Sequence, residues 1–325
     1  MIHIGAHLFA GAGELGYSAR QLNSEEAFFG SRLLAKMNWW MRGRQPNHLV
    51  EFSERIIQEC RLQRPDVMVT TGIAPINEAA LSEIGQMGVK RFNYLTDDPW
   101  NPAHHAPWFL RALPQYDHVF SPRRSNIGDL ENHGCRAVSY LPFAYAPGLH
   151  FYDPPQTAEY SADVVFGGGA DADRVALVGT LIRQGFRVAL YGGYWQRYPQ
   201  TRNHSRGHAD PMTLRRVIAG AKVALCLVRR ANRDGHTMRT FETAAMRACM
   251  LVEHTVEHEE ILGPDGEAVV YFRSDAEMVE RLRWLLNHDE ERRRLGAAVH
   301  ARITGARNTY KDRLETILAL RAEMR

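Results

Sequence analysis

Short apolar runs and amphipathic segments alternate along the first half of the chain. Val67-Met-Val-Thr-Thr71 is an apolar run that stops at Gly72, as expected of a buried parallel strand. In chain order the predicted elements are a strand at 67–71, a helix at 77–87, strands at 90–95 and 116–121, a helix at 126–133 and a strand at 136–141. This alternation is typical of an α/β fold.

Two helical segments are predicted ahead of these strands, at 25–44 and 49–60. The first carries an apolar and aromatic stripe and the second an amphipathic pattern, and we expect both to contribute to the core. The large apolar residues of the first segment are Phe28, Phe29, Leu33, Leu34, Trp39 and Trp40.

The second half repeats the alternation after a segment with few periodic apolar residues. Residues 142–162 contain four prolines and are interpreted as a linker between two domains. Strands are then predicted at 162–166, 186–191, 222–228, near 251 and at 268–272, with helices from 171, at 212–220, 276–286, 290–304 and 309–324.

Length and composition agree with this division. A chain of 325 residues exceeds what one core usually serves, so two domains of about 150 residues are expected. The net charge of +3 gives no electrostatic argument for a nucleic-acid partner. Four widely spaced cysteines are interpreted as reduced core thiols. Without an N-terminal signal pattern or an apolar run of about 18 residues, we expect a cytoplasmic protein with no integral membrane segment.

The stretch at 233–251 carries the sharpest functional signal. A polar loop leads into a helix whose free N–H groups, with the helix dipole behind them, attract phosphate. Arg239 adds a guanidinium, and the acids Asp234 and Glu242 suggest a polyhydroxylated ligand such as a nucleotide sugar. The candidate residues here are Asp234, His236, Thr237, Met238, Arg239 and Glu242. The alternative is a solvated helix end with an i,i+3 ion pair.

Two other loops that follow predicted strands carry candidate residues. Gly167, Gly168 and Gly169 let a backbone approach a ligand closely, and the helix after them again supplies N–H groups for phosphate. After the strand at 90–95, the candidates are Asp97, Asp98 and His104. Loops beyond the carboxyl ends of parallel strands usually carry the chemistry. The alternative for Asp98 is a turn and helix N-cap before Pro99.

Two other kinds of site were considered. Pairs of histidines four residues apart, at 204 and 208 and at 254 and 258, lack the H-E-x-x-H arrangement, so no metal site is predicted. Gly11, Gly13 and Gly16 match the dinucleotide fingerprint G-x-G-x-x-G, which requires a strand before it. The preceding residues fit either a short strand or a helix that ends at Gly16, so an NAD-binding interpretation stays open.

The chain contains an ordered series of short motifs: Tyr94-Leu-Thr-Asp-Asp-Pro-Trp100, Leu141-Pro-Phe-Ala-Tyr145, Phe166-Gly-Gly-Gly169, Arg239-Thr-Phe-Glu242 and the closing segments at 275–289 and 308–310. In this order they resemble segments of the CgeB-like (spore maturation protein) family of glycosyltransferases. The similarity covers most of residues 65–320. It implies the GT-B fold, an α/β architecture in which two Rossmann-like domains face a cleft.

The resemblance also implies domain limits. Residues 1–150 would form the acceptor-side domain and residues 151–305 the nucleotide-sugar donor domain. A C-terminal helix at 306–325 would cross back to the N-terminal domain. Because the chain begins close to the family's first helix, the resemblance implies a helix at 7–15 and an acceptor domain without its usual first strand.

Roles for several residues follow from the resemblance. In related GT-B enzymes with a Glu-x7-Glu motif, the second acid holds the ribose and the first touches the donor sugar. Glu242 matches the second position, and Asp234 stands at the first with a shorter side chain. The glycines at 167–169 would face the diphosphate, and Arg174 or Arg239 would neutralise it. Tyr191 is a further candidate donor-binding residue. Asp97 and Asp98 would project from the acceptor-side domain into the cleft.

We therefore expect a glycosyltransferase that needs no metal or other cofactor. It would move a sugar from a nucleoside-diphosphate sugar to an unidentified acceptor. An inverting enzyme would use Asp98, Asp97 or His104 as its base, whereas a retaining enzyme would need none. The alternatives are an inactive nucleotide-binding scaffold of the same fold and an NAD-dependent oxidoreductase.

Overall fold

In the computed structural model the chain forms two units, each built on a parallel β-sheet. The structure describes residues 4–155 and 157–323, except for the side chains at 32, 34, 35 and 321–323. Among these residues, the N-terminal unit is drawn from Ile2–Pro142, Ala231–Arg233 and Lys311–Arg325. The C-terminal unit is drawn from Phe143–Arg230 and Asp234–Tyr310. Three residues from the loop after the seventh strand therefore belong to the N-terminal unit.

The N-terminal unit contains a four-stranded sheet in the order β1-β2-β3-β4, with parallel neighbours throughout. Its strands are β1 (Val67–Thr71), β2 (Lys90–Tyr94), β3 (His118–Ser121) and β4 (Val138–Tyr140). Its helices before the linker are α1 (Ile4–Glu14), α2 (Arg32–Met41), α3 (Leu49–Gln63), α4 (Glu78–Gln86), α5 (Pro107–Ala112) and α6 (Ile127–Asn132). The four predicted strands of this half are confirmed, with ends that move by two residues or fewer.

The C-terminal unit contains a five-stranded parallel sheet in the order β6-β5-β7-β8-β9. Its strands are β5 (Ala162–Gly167), β6 (Val188–Tyr191), β7 (Ala221–Cys226), β8 (Met250–Glu253) and β9 (Val270–Phe272). Its helices are α7 (Ala172–Arg183), α8 (Pro211–Gly220), α9 (Met238–Ala245), α10 (Val256–Leu262), α11 (Asp275–Leu286) and α12 (Asp289–Thr304). The last helix of the chain, α13 (Tyr310–Glu323), belongs from Lys311 on to the N-terminal unit. The α/β class predicted from the alternation is confirmed in both halves.

Each unit has its own core. In the N-terminal unit, Ile56 of α3, Leu81 of α4 and Phe109 of α5 are buried together. In the C-terminal unit, Val164 of β5 and Leu225 of β7 are buried against residues of the flanking helices. Except for α5, which was not predicted, these residues lie in elements predicted from their apolar pattern, so there the pattern and the burial agree.

Helix α1 overturns the dinucleotide-binding interpretation of the N-terminus. Gly11 and Gly13 lie inside the helix, where the fingerprint requires a turn after a strand. A Cβ on Gly11 would lie 3.0 Å from the Cα of Lys311, so this glycine lets α13 pack closely against α1. Gly16, with φ of +77°, ends the helical segment. The glycines serve helix packing and helix termination.

The segment predicted as one helix over 25–44 is broken, and its stripe is exposed. A 3-10 helix at Ser24–Phe28 is followed by Gly30 with φ of +124°, and α2 begins after the Ser31 cap. The expected burial is wrong, because five of the six large apolar residues are between 51% and 80% exposed. They are Phe28, Phe29, Leu33, Trp39 and Trp40. The side chain of Leu34 lies outside the described ones.

The cysteines are free and buried, as predicted for core thiols. They are Cys60, Cys135, Cys226 and Cys249. Within the part of the chain that the structure describes, no helix combines the length and apolar character needed to cross a membrane.

Candidate active site

The strand order of the C-terminal sheet reverses at β5, which makes this the topological switch point of the sheet. Strand β6, the next in sequence after β5, lies on one side of it, and β7 lies on the other. In open parallel sheets, ligands bind beyond the carboxyl ends of the strands at such a point. The loops after β5 and β7 are therefore the candidate ligand site of this unit, and most of the predicted donor-binding residues lie in these loops or in α7 and α9, the helices that follow them.

The glycine loop after β5 packs closely against the loop after β6. Gly168 N–H donates to the Tyr191 carbonyl at 2.8 Å. A Cβ on Gly192 would lie 2.2 Å from the Gly168 carbonyl oxygen, so only glycine fits there. The Trp195 indole N–H donates to the same oxygen at 2.7 Å. This packing is a structural reason for the glycines that is independent of any ligand.

Arg174 holds the glycine loop to the end of β7. Its side chain is buried, and its Nη atoms donate to the carbonyls of Gly169 at 3.2 Å and Leu227 at 3.3 Å. Burial lowers the pKa of Arg174 below its usual range. Arg229 is more accessible, with 35% of its side chain exposed, and its Nη2 lies 3.8 Å from the Cβ position of Gly169. Of these two arginines, Arg229 is better placed to meet an anion at the loop.

A chain of hydrogen bonds fixes the first turn of α9. We assign Nδ1 of His258 as the donor to the Glu253 carbonyl, at 2.7 Å, which leaves Nε2 to accept from the Thr240 hydroxyl at 3.0 Å. The Thr240 oxygen in turn accepts from Thr237 N–H at 3.1 Å. Burial lowers the pKa of His258 to about 4. A neutral imidazole in one tautomer therefore anchors the start of this helix.

His236 has a positioning role. Its Nδ1 lies 2.6 Å from Oε2 of Glu257, and its Nε2 accepts from Phe143 N–H at 3.1 Å. A Cβ on Gly235 would lie 2.3 Å from the Glu257 carboxyl carbon, so the glycine allows this carboxylate to reach the ring. His236 is fully buried, and both of its ring nitrogens are engaged within the protein. The geometry therefore argues against the direct donor contact that the sequence suggested for His236.

Arg239 and Glu242 form an ion pair one turn apart on α9. Nη1 of Arg239 contacts Oε2 of Glu242, and its Nε donates to the Gly167 carbonyl at 2.9 Å. Glu242 is only 5% exposed, and Nε2 of His150 lies 3.7 Å from its Oε1. The i,i+3 ion pair expected for a solvated helix end is present. Glu242 is nevertheless buried, so the interpretation of this segment as a solvated helix end does not hold there. A buried carboxylate between cationic or titratable groups is typical of a functional site.

The remaining predicted donor residues are all half-buried. They are Tyr191, Asp234, Thr237 and Met238. Tyr191 is the cross-strand neighbour of Gly167, and burial raises the pKa of its hydroxyl. Asp234 N–H donates to the Arg229 carbonyl at 3.3 Å, so its backbone adjoins the candidate phosphate-binding arginine.

In the N-terminal unit, Asp98 is buried and fully hydrogen-bonded. Arg233 donates from Nε to Oδ2 at 2.6 Å and from Nη2 to Oδ1 at 3.0 Å. The Asn126 side chain and the Trp100 N–H also donate to Oδ1, each at 3.0 Å. Asp98 is 1% exposed. Because four donors occupy its two oxygens, the geometry favours the structural alternative for Asp98 over a role as base.

Asp97 and His104 are brought together in the same loop. Nε2 of His104 lies 3.5 Å from Oδ1 of Asp97, and Asn232 Nδ2 donates to that oxygen at 3.3 Å. The Asp97 side chain is 35% exposed and the His104 side chain 30% exposed, so both are accessible. A carboxylate that orients an accessible imidazole is a common arrangement for a general base.

A cavity of about 380 Å³ lies in the N-terminal unit beside this loop. Its lining residues are Trp39, Gly43, Arg44, Trp100, Pro102, His105 and Pro107. Mainly apolar and aromatic walls with a few polar groups are typical of small-molecule sites. Among the described residues, no group of three or more His, Cys, Asp or Glu side chains is placed to hold a metal ion.

Sequence reasoning missed three residues that shape the two sites. Arg229 follows β7 directly, so its place at a strand end was a usable signal. Arg233 was read only as the start of a polar loop. Glu257 is 21 residues from its partner His236, and no local pattern connects them.

The similarity to a known protein family lies in the second half of the chain. No curated protein matches this sequence. A family model described as glycosyl transferase-like matches residues 174–319. The matched segment runs from α7 into α13 and includes the Arg239–Glu242 pair, together with the groups that hold α9.

Solved structures share the fold at low sequence identity. Sucrose-phosphate synthase from Thermosynechococcus elongatus matches with a TM-score of 0.63 and 13% identity, over 85% of this chain and 78% of that chain. A glycosyltransferase from Rickettsia africae matches with 0.59 and 10%, over 98% and 88%. Anabaena Alr3699/HepE in complex with UDP-glucose matches with 0.58 and 10%, over 83% and 82%. These likenesses show the GT-B fold that was predicted.

The family match and the fold favour the glycosyltransferase prediction over the oxidoreductase and scaffold alternatives. The family match is broader than the CgeB-like resemblance and does not reach that finer assignment. Residues 174–319 therefore resemble the glycosyl transferase-like family, and the chain has the GT-B fold of these solved structures.

Proposed function

We propose that the protein transfers a sugar from a nucleoside-diphosphate sugar to an acceptor held by the N-terminal unit, without a metal ion. The observation that carries the proposal is the buried Glu242 carboxylate beside Arg239, near the topological switch point of the C-terminal sheet. A carboxylate accepts hydrogen bonds from two adjacent hydroxyls, as a ribose presents them. The HepE structure that contains UDP-glucose supports this donor class.

In this proposal, Arg239, Arg229 and the N-terminus of α9 stabilise the diphosphate. Negative charge develops on the leaving group as its bond to the anomeric carbon breaks, and fixed cations and N–H groups stabilise that charge most in a partly buried site. Arg174 acts indirectly, because it is buried and holds the glycine loop. Asp234, half-buried near Arg229, is proposed for the donor sugar.

The acceptor is proposed to bind in the cavity lined by Trp39 and Trp100. For an inverting reaction, His104 takes the proton of the acceptor hydroxyl and Asp97 orients its ring. The hydroxyl oxygen forms a bond to the anomeric carbon while the bond to the β-phosphate oxygen breaks, and the diphosphate leaves with that electron pair. Asp97 and His104 are preferred over Asp98, whose oxygens are occupied within the protein.

The finer family assignment is also a proposal. The order of the motifs from Tyr94–Trp100 to Arg239–Glu242 supports membership of the CgeB-like family. A cytoplasmic location agrees with the four free cysteines, which are typical of a reducing compartment.

Calorimetry with UDP, GDP and TDP and their sugars tests the donor site. We expect one of them to bind, and Glu242→Ala and Arg239→Ala to weaken its binding at least about tenfold, which corresponds to about 1.4 kcal/mol. Glu280→Ala, at an exposed position of α11, is the matched control and should bind normally. Unchanged binding in both site variants would refute the site. Tight binding without transfer or donor hydrolysis would favour the inactive scaffold.

A further inference from the structure

Helix α2 presents its apolar face to solvent and a polar residue to the protein. Its exposed residues recur at i, i+4, i+7 and i+8, so they lie on one side of the helix. They are Leu33, Met37, Trp40 and Met41, which are between 44% and 80% exposed. Asn38 is 6% exposed instead, and its Nδ2 donates to Oδ1 of Asn47 at 3.0 Å. Among the described side chains of α2, the large apolar ones are therefore exposed and the polar Asn38 is the buried one.

The exposed apolar surface extends to the turn before α2. Phe28 is 51% exposed and Phe29 is 60% exposed, and both lie beside the Gly30 break. We call these two phenylalanines and the four residues of the α2 face the α2 patch. A contiguous segment that exposes aromatic and aliphatic side chains in this number marks an interaction surface.

The segment that carries the patch is basic and contains no acid. Residues 27–50 include four basic residues, Arg32, Lys36, Arg42 and Arg44, and no Asp or Glu. The whole chain of 325 residues, by contrast, balances to +3. Lys36 and Arg42 are exposed, and the guanidinium of Arg44 lies 4.6 Å from the centre of the Trp39 ring. The positive charge is therefore confined to this segment, since Glu25 and Glu26 precede it and Glu51 follows it, and it is accessible at Lys36 and Arg42.

The positive charge of the segment distinguishes two candidate partners of the α2 patch, which are a second copy of this chain and an anionic phospholipid surface. Two copies of this chain that met at the α2 patch would bring the exposed Lys36 and Arg42 of one copy close to those of the other, which opposes association. An anionic phospholipid surface attracts these charges and accepts the aromatic and aliphatic side chains at the headgroup boundary. With ten residues, α2 is far too short to cross a bilayer and suits a position in the plane of the interface.

We propose that the α2 patch docks the N-terminal unit on an anionic phospholipid membrane. The apolar side chains enter the headgroup boundary, and the exposed Lys36 and Arg42 contact the lipid phosphates. Trp39 and Arg44 also line the 380 Å³ cavity, so docking places that cavity beside the headgroups. Docking requires neither donor nor acceptor, and it is measured independently of the transfer activity proposed above.

Sedimentation of the full chain with vesicles tests this proposal. We expect the protein to sediment with vesicles of phosphatidylcholine and phosphatidylglycerol, and the bound fraction to fall when salt is raised to 0.5 M. Leu33→Ala/Trp40→Ala should lower the partition coefficient at least about tenfold, because two interfacial anchors are lost. Trp284→Ala removes an exposed tryptophan of α11 and should leave binding unchanged.

The charge is tested separately. Lys36→Glu/Arg42→Glu should lower binding about tenfold or more, whereas Arg183→Glu/Arg293→Glu changes the net charge equally at exposed positions of the other unit and should have a small effect. Equal binding to vesicles of phosphatidylcholine alone, or full binding by the Leu33/Trp40 variant, would overturn the proposal. So would a dimer in lipid-free sedimentation equilibrium that the Leu33/Trp40 variant abolishes.

Discussion

The guanidinium of Arg233 holds the carboxylate of Asp98 by two hydrogen bonds, although 135 residues separate the two in the chain. Both lie in the N-terminal unit, because residues 231–233 belong to it. Because of this contact, the adjacent residues Asp97 and Asp98 have different roles. Asp98 is buried and occupied, whereas Asp97 is accessible and lies against His104.

Replacing Arg233 is expected to destabilise the protein. Arg233→Ala leaves part of a buried carboxylate without its donors, which should lower the free energy of unfolding by about 2–3 kcal/mol. Arg233→Lys should recover only part of the loss, because an ammonium cannot reproduce the two-pronged contact. Urea unfolding measures the change. The control is Arg61→Ala, which removes an exposed surface ion pair with Glu83 that is expected to contribute less than about 1 kcal/mol. Equal losses for the two alanine variants would show that the Asp98 contact is unimportant.

His104 and Asp97 are expected to affect turnover more than binding. If the enzyme inverts, His104→Ala should lower kcat by about 10²-fold or more, and Asp97→Asn should lower it by a smaller factor. The donor Kd should not change, because neither residue belongs to the donor site. His288→Ala, at an exposed position, serves as the control. A kcat within about twofold of the unaltered enzyme would point to another base or to a retaining reaction.

Glu257 is expected to act on the donor site through His236. Glu257→Gln weakens a buried charged hydrogen bond and should cost about 1–3 kcal/mol of stability. A purely structural role would stop there. If the pair positions the loop before α9, the donor KM should rise while the acceptor KM stays the same. Glu260→Gln, on the exposed side of α10, should change neither value. A stability loss with an unchanged donor KM would contradict the positioning role.

His258 should make stability depend on pH in the acidic range. Burial lowers its pKa from 6.5 to about 4 in the folded state. Between these values the unfolded chain binds a proton that the folded protein does not, so stability is full above pH 6.5 and declines as the pH falls toward 4. The shift corresponds to about 3 kcal/mol at most.

Unfolding curves at several pH values test this assignment. His258→Asn should flatten the dependence of stability on pH between 6.5 and 4, even if it lowers stability throughout. His48→Asn, an exposed position, should keep the original slope. A slope that survives in His258→Asn would assign the acid sensitivity to other groups.

The α2 segment shows what a local sequence pattern can predict and what it cannot. The large apolar residues between Phe28 and Trp40 correctly predicted helical structure in this segment, because side chains three and four positions apart share one side of a helix. The direction in which that side points was predicted wrongly. Asn38 is buried and donates to Asn47, whereas Leu33 and Trp40 are exposed, and a helical period contains no information about such a partner.

By itself, the sequence determined the α/β class, the strands of both sheets, and the Arg239–Glu242 pair on one helix. These depend on period, capping and neighbours within one turn, which a linear pattern records. Only the tertiary structure decided that Asp98 is occupied by Arg233, that His236 is held by Glu257, and that Gly11 admits α13. These roles depend on partners 21 to 300 residues away. Such partners meet only when the sheets and helices pack, and their packing sets which polar groups are buried and which stay accessible.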